Sequence, residues 1–395
     1  MSLNGDGGRP EAVMAPQKYA QITGWGMYVP SRVVPNDTFV KMGLDTTNEW
    51  IESRTGIERR HIVSHDESTS DMAVRAAQEA LHVASTSAAE LDLIIVATCT
   101  PDHIMPATAS LVQDRLGAKG AGAMDLNAAC AGFVYAMNTA TAFIESGRAK
   151  NVLVVGADEL SNHLDWKDRT TCVLFGDGAG AVVLKAADEP GVLATTMGSD
   201  GAGARLLTIR AGSRNRHNGA GANGRAAASG DYYLRMNGPQ IYRWATQMMA
   251  KAAEKVIAAS GLKASQVDLF IPHQANYRII ETTARRLGLP LEKVFSNVSD
   301  YGNTSAASIP IALCEAVQSG RVKAGDNLVL ASFGAGLSWA ALTIRWGNAV
   351  PAHLSRWRAI KYPVGDRVAA VRSALRREQW RVRAEVDKRL RKDKE

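Results

Sequence analysis

Three side chains are placed where they could do chemistry: a cysteine, a histidine and an asparagine. The segment Asp125-Leu126-Asn127-Ala128-Ala129-Cys130-Ala131-Gly132-Phe133 runs from a strand into an Ala-rich helix expected over Ala131–Ile144. Cys130 then sits at a helix N-terminus, where the macrodipole and free N–H groups stabilise a thiolate. Small neighbours leave the sulfur open to a substrate. The competing reading is a buried, inert thiol. Cys99, Cys172 and Cys314 lie in apolar runs and read as core. Pro272-His273-Gln274-Ala275-Asn276 follows the strand Val267–Ile271, and α/β folds place function at the C-terminal ends of buried strands. The alternative is a hydrogen-bonded core histidine. Asn303 precedes the helix Ile309–Val317 within Tyr301-Gly302-Asn303-Thr304-Ser305-Ala306-Ala307-Ser308, where it could equally cap the helix or serve the turn.

Two glycine-rich segments read differently. Phe333-Gly334-Ala335-Gly336-Leu337 is a tight turn between the strands Leu328–Ser332 and Ser338–Arg345, and its glycines let backbone N–H groups approach a ligand. Gly176-Asp177-Gly178-Ala179-Gly180 looks like a phosphate loop but leads into the strand Ala181–Leu184. With no helix N-terminus to hold a phosphate, it reads as a structural turn.

The elements that must position these residues form a pattern. Residues 19–347 alternate short Val/Ile/Leu strands, such as Leu91–Ala97 and Asn151–Gly156, with Ala-rich helices, such as Thr108–Leu116. This is the signature of an α/β fold. The pattern repeats. Leu91-Asp92-Leu93-Ile94-Ile95 resembles Val267-Asp268-Leu269-Phe270-Ile271, and Asn151-Val152-Leu153-Val154 resembles Asn327-Leu328-Val329-Leu330, both at an offset of 176. Ser146-Gly147-Arg148 recurs as Ser319-Gly320-Arg321 at an offset of 173. By the latter offset Asn303 is the counterpart of Cys130. Two packed halves, 19–190 and 191–347, would place a site at their interface. Residues 1–18 read as a flexible leader, 205–230 as a mobile surface loop and 348–395 as a helical tail.

Composition narrows the class. Of 395 residues 46% are apolar and 22% charged, as in a soluble globular protein. No apolar run approaches the ~18 residues of a membrane span, and no signal peptide is evident. The four cysteines form neither a disulfide framework nor a zinc-spaced cluster, which fits reduced thiols in the cytoplasm. The net charge of +7 is unevenly spread. Residues 351–395 hold 14 Lys and Arg against 6 Asp and Glu, a net of +8, leaving 32 basic and 33 acidic side chains elsewhere. Basicity confined to a tail argues against a nucleic-acid-binding body.

Taken in order, five motifs resemble the thiolase-fold condensing enzymes, and within them the β-ketoacyl-ACP synthase III family. They are Asn48-Glu49-Trp50-Ile51 with Arg54-Thr55-Gly56-Ile57, Ala128-Ala129-Cys130-Ala131-Gly132, Gly176–Gly180, Pro272–Asn276 and Tyr301–Ser305. The resemblance covers 19–347. It implies a duplicated five-layer αβαβα sandwich and a homodimer, with the basic tail as an addition. It implies that Cys130 takes an acyl group from acyl-CoA, that the backbone N–H groups of Cys130 and Ala335 form an oxyanion hole, and that His273 and Asn303 assist decarboxylation of malonyl-ACP. A Cys-His-Asn set separates this chemistry from that of relatives using two His, a second Cys or a Glu base. Trp50, Arg54, Arg169, Arg243 and Arg278 match positions that receive CoA and the acidic acyl carrier protein. Met105, reaching in from the partner subunit, with Leu207 and Phe333 would wall a pocket for a small or medium primer. Acyl-CoA is a substrate, so no resident cofactor or metal is expected. The same triad would serve a secondary pathway, such as a polyketide or quinolone starter condensation or acyl transfer to oxygen. A non-catalytic carrier-binding homologue is the reading from another class.

Overall fold

The structure, a computed structural model, describes residues 18–210 and 232–347. The expected leader (but for residue 18), most of the 205–230 loop and the tail from 348 lie outside the described residues.

In chain order the first half comprises β1 (Tyr19–Tyr28), β2 (Arg32–Pro35), α1 (Asp37–Lys41), α2 (Asn48–Thr55), β3 (Arg59–Ile62), α3 (Thr69–Val83), β4 (Leu93–Ala97), α4 (Thr108–Leu116), β5 (Gly122–Leu126), α5 (Gly132–Glu145), β6 (Asn151–Asp158) and β7 (Gly178–Ala187). There follow β8 (Val192–Ser199), β9 (Leu207–Thr208), β10 (Arg235–Met236), α6 (Gly238–Ala259), β11 (Leu269–Pro272), α7 (Tyr277–Arg286), α8 (Val298–Tyr301), α9 (Ser308–Gln318), β12 (Asn327–Gly334) and β13 (Ser338–Arg345).

Two sheets carry the fold. One runs β1-β7-β6-β4-β5 and the other β11-β12-β13-β8. β4 and β6 pair in parallel, and β7 is antiparallel to β6 and β1. In the second sheet β11 and β12 are parallel, and β13 is antiparallel to β12 and β8. The duplication extends to register: Leu93 faces Val152 in the first sheet, and Leu269 faces Leu328 in the second, each 176 positions on.

Strand alternation builds the layers. Val152 and Val154 of β6, with Leu328 and Leu330 of β12, face a central core that includes residues of α5 and α9. Their neighbours Leu153 and Val155 face α3, while Val329 and Ala331 face α6 and α7. Period-2 side chains with apolar groups on both faces give continuous hydrophobic strands. The order is therefore α3 and α4, first sheet, α5 and α9, second sheet, α6 and α7. α5 and α9 are buried on most of their circumference, as central helices must be.

The register corrects one expectation. α5 has 14 residues and α9 has 11, so the 176 offset before these helices becomes 173 after them. At the helix entrances 176 applies. The counterpart of Asn303 is Asn127, and that of Cys130 is Ala306. Backbone geometry agrees, since Ala129 and Ser305 hold φ of 48° and 52°.

Candidate active site

Cys130, His273 and Asn303 line one pocket of about 310 Å³, with Leu207, Phe333 and the guanidinium-bearing Arg54 and Arg278 also on its wall.

Cys130 lies in the short turn Ala129–Ala131 that leads into α5, and is 7% exposed. The end of β12 holds this turn from below. A Cβ at Gly334 would lie 2.8 Å from the Cys130 amide nitrogen and 2.9 Å from the Ala128 carbonyl, so only glycine allows the approach. Ser332 Oγ donates to the Cys130 carbonyl at 2.8 Å, and Ser338 Oγ to the Ala128 carbonyl at 3.0 Å. The adjoining Ala335 accepts from Ser338 Oγ at 3.0 Å, and its N–H donates to no backbone group among the described residues.

Burial pushes the Cys130 thiol up to about 12; a Ser305 hydrogen bond opposes this, while the Asp158 charge adds to it. The expected resting thiolate is thus replaced by a thiol. The dipole argument weighed only the helix end, whereas enclosure penalises the charged form more. Any reaction as a nucleophile would require its deprotonation.

His273 follows β11 and is fully buried. Its Nδ1 lies 2.5 Å from Ser308 Oγ. The Gln274 N–H donates to the same oxygen at 3.4 Å. The other ring nitrogen, Nε2, is buried and has no hydrogen-bond partner among the described residues. The Phe333 ring packs edge-on against the imidazole, 5.2 Å between centroids at 76°. Burial lowers the histidine from 6.5 to about 3, so the ring is neutral.

Asn303 is held by its backbone. Its N–H donates to the Leu174 carbonyl at 2.8 Å, and its carbonyl accepts from Gly176 N–H at 3.1 Å. Its Oδ1 accepts from Ser305 N–H at 2.9 Å, which turns the amide NH2 away as a donor. The Gly176–Gly180 segment therefore splints Asn303. Asp177 within it is buried and accepts from Val63 N–H and from Ser161, and β7 begins at Gly178. Fully buried Arg60 adds a bond to the Val173 carbonyl at 2.6 Å.

Three supporting residues carried no expected role. Ser308 bonds the His273 ring, and Ser305 N–H holds the Asn303 carboxamide. Asp158 is fully buried and accepts from Thr98 Oγ1, Cys99 N–H, Thr100 N–H and Oγ1, and Ala306 N–H. Its position at the end of an otherwise apolar strand was the available signal. Cys99, expected in the core, is only partly buried beyond β4, with Sγ 3.9 Å from Ser305 Oγ. Cys172 and Cys314 are buried.

The remaining candidates spread over the rim. Arg54 and Arg169 each place Cζ 5.0 Å from the Trp50 ring, a cation–π arrangement. Arg169 also pairs with the Asp45 carboxylate at 2.9 Å. Asn276 Nδ2 donates to the Arg54 carbonyl at 3.0 Å and so ties α2 to α7. Arg278 lies 6.0 Å from the Tyr242 ring. Trp50, Arg169 and exposed Arg243 do not line the pocket. Met105 does not line it either, being 86% exposed beside Ile104 at 95%. Among the described residues no His, Cys, Asp and Glu group could hold a metal ion, and no helix is long and apolar enough to cross a membrane.

Two family models match the chain: 3-oxoacyl-(acyl-carrier-protein) synthase III over residues 124–201, and its C-terminal part over residues 257–346. The β-ketoacyl-(acyl-carrier-protein) synthase III of Neisseria meningitidis serogroup C is 49% identical over 330 residues, covering 83% of this chain and 100% of the relative. The synthase III of Xanthomonas oryzae pv. oryzae is 49% identical over 333 residues, covering 84% and 100%. The crystal structure of 3-oxoacyl-(acyl-carrier-protein) synthase III from Aquifex aeolicus VF5 superimposes with a TM-score of 0.76 at 46% identity, covering 82% of this chain and 99% of that one. With this identity, coverage and thiolase-like fold, the chain belongs to the β-ketoacyl-ACP synthase III family of condensing acyltransferases.

Proposed function

We propose that Cys130 accepts the acyl group of an acyl-CoA and passes it to a malonyl-ACP-derived enolate. In the first half-reaction the Cys130 sulfur attacks the thioester carbonyl. The bond from that carbon to the CoA sulfur breaks, and the Cys130 proton ends on the departing CoA. The backbone N–H groups of Cys130 and Ala335 face the developing oxyanion. In the second, malonyl-ACP loses CO2. The enolate carbon attacks the acyl-cysteine, and Cys130 leaves and regains a proton. His273 Nε2–H and the Asn303 amide donate to the thioester oxygen as it gains charge.

One observation carries this reading. The pocket presents a thiol and two neutral donors, and no Asp or Glu is among its lining residues. Donors stabilise an enolate, and a carboxylate would repel it. Trp50 with its flanking Arg54 and Arg169 suits the adenine and phosphates of CoA, and Arg243 and Arg278 suit the acidic carrier protein. The exposed Ile104 and Met105 suit burial against a second copy, where Met105 would close the partner's acyl pocket beyond Leu207 and Phe333.

The test is intact-protein mass after exposure to acyl-CoAs of increasing length, then to malonyl-ACP. A Cys130 adduct from small or medium acyl groups, consumed to 3-oxoacyl-ACP, is the expected result. No adduct with any acyl-CoA overturns the proposal.

A further inference from the structure

The turns that open α5 and α9 are equivalent, and so are the strand ends that hold them. At the offset of 176, Gly156 corresponds to Ser332, Asp158 to Gly334 and Cys130 to Ala306. Each strand end packs against the turn of the other half. A Cβ at Gly334 would lie 2.8 Å from the Cys130 nitrogen, and a Cβ at Gly156 would lie 2.3 Å from the Ala306 carbonyl oxygen. The turns also close alike: Ala131 N–H donates to the Ala128 carbonyl at 3.1 Å, and Ala307 N–H to the Thr304 carbonyl at 3.0 Å. The N–H just before each of these donors is where the halves differ. Cys130 N–H has no hydrogen-bond partner among the described residues, since Gly334 brings no side chain to it. Ala306 N–H donates to Asp158 Oδ2 at 3.1 Å.

Asp158 closes β6 and is fully buried. Its Oδ1 accepts from Thr98 Oγ1 at 3.0 Å, Cys99 N–H at 2.8 Å, Thr100 N–H at 3.2 Å and Thr100 Oγ1 at 3.1 Å. The segment after β4 thus fixes one carboxyl oxygen and leaves the other to face the second half. A buried carboxyl is costly unless its oxygens are satisfied, and here donors from both halves satisfy it. Its bond to α9 matters for Asn303. The Asn303 backbone is held by Leu174 and Gly176, but among the described residues its carboxamide is held only by Ser305 N–H, at 2.9 Å. Ser305 adopts φ of 52°, a region disfavoured for a residue with a side chain. Ala306 N–H is the next donor along the chain, so the Asp158 bond pins the strained residue that orients the amide.

We propose that Asp158 is a positioning residue for Asn303: by accepting the Ala306 N–H it fixes the turn that holds the carboxamide toward the substrate thioester. The inference rests on reading Asn303 as a donor to the enolate. The same bond gives the two turns separate uses. At Cys130 the entrance N–H is left for a substrate oxyanion. At Ala306 the equivalent N–H is capped, and the asparagine side chain is what the turn offers instead. Asp158 exchanges no proton and touches no reacting atom.

The experiment is CO2 release from malonyl-ACP by the full chain and its variants. Asp158→Asn keeps one oxygen for the donors after β4 and turns an NH2 toward the Ala306 N–H, so it breaks the link to α9 alone. Its kcat should fall roughly tenfold, the scale of one lost buried hydrogen bond, with KM within about twofold of the parent. The decisive readout is the double variant. With Asn303→Ala already present, Asp158→Asn should cost less than about twofold more, because the side chain it positions is gone. A merely structural role would add its full loss there, and that outcome overturns the proposal. An undiminished kcat in Asp158→Asn also overturns it. Thr98→Val, which removes one bond to Oδ1, decides the matter should a thermal melt show Asp158→Asn unfolded. Its expected loss is about twofold to threefold and is absent beside Asn303→Ala. No loss, or an equal loss in both backgrounds, overturns the proposal. Undiminished CO2 release in Asn303→Ala by itself would overturn the donor reading and this proposal with it, a failure told apart because no Asp158 variant is needed to see it.

Discussion

The turn that leads into α5 and the turn that leads into α9 share a backbone but not a chemistry. Asn127 Oδ1 accepts from Ala129 N–H at 3.1 Å, and Asn303 Oδ1 accepts from Ser305 N–H at 2.9 Å. Ala129 and Ser305 hold nearly the same positive φ, and a central helix begins three residues later in each case. In the first turn the asparagine is exposed and the proposed nucleophile is the sulfur one residue beyond Ala129. In the second the asparagine is 6% exposed and lines the pocket, while the residue equivalent to Cys130 is Ala306. Duplication thus supplied two similar mouths, and burial decided which side chain each one uses. One presents a thiol and the other a carboxamide.

The largest predicted effect separates the two mouths by reaction step. Cys130→Ala should reduce acyl transfer from acyl-CoA by roughly 10^4-fold or more, since the covalent route is lost. Decarboxylation of malonyl-ACP should persist in that variant, because the donors remain. A CO2-release assay beside intact-protein mass reads both. Asn303→Ala and His273→Ala should each slow decarboxylation by about 10^2- to 10^3-fold, the usual effect of removing one preorganised donor. Undiminished CO2 release in both variants would remove the enolate role from the second mouth.

Much of this pocket was legible because its three candidate residues sit beside local signals. Cys130, His273 and Asn303 each stand at the end of a strand or the start of a helix, and the helix Thr108–Leu116 has the bounds its sequence pattern gave. Matters of enclosure and loop length were not legible. A helix dipole follows from local sequence, but the desolvation of Cys130 depends on β12 and the second half closing over it. Cys99 read as part of an apolar strand, yet β4 stops at Ala97. Asp158 draws the N–H groups of Cys99 and Thr100 out of the ladder. Pairing Cys130 with Asn303 came from an offset measured after helices of unequal length. The extra three residues of α5 are invisible until both entrances are fixed by their backbone geometry.

A smaller effect tests the state of the donor side. The neutral state of buried His273 makes a pH prediction. Its folded value, about 3, lies below the 6.5 of an exposed histidine, so between these values the unfolded chain binds the extra proton. Stability contributed by this site is therefore lost as pH falls from about 6.5 towards 3, and is fully present above that window. In His273→Gln, urea unfolding should depend less steeply on pH across the same range. A parallel pH dependence in both proteins would mean that the ring is protonated in the folded state.

The smallest effect tests whether the two asparagines really differ in use. Asn127 is exposed, and its Oδ1 braces its own turn, so Asn127→Ala should behave like loss of a cap. Stability should fall by about 1 kcal/mol in chemical denaturation. Decarboxylation should change by less than about threefold, far below the loss expected at Asn303. The Asn303 carboxamide also braces its turn, so Asn303→Ala should combine a similar stability loss with the catalytic one. Asn303→Asp separates the two contributions: a carboxylate still accepts from Ser305 N–H but cannot donate to an enolate oxygen. Recovered stability with no recovery of decarboxylation is the expected result. Equal catalytic loss at Asn127 and Asn303 would show that both turns act only as scaffolds, and the functional contrast between the mouths would then rest on Cys130 and His273 alone.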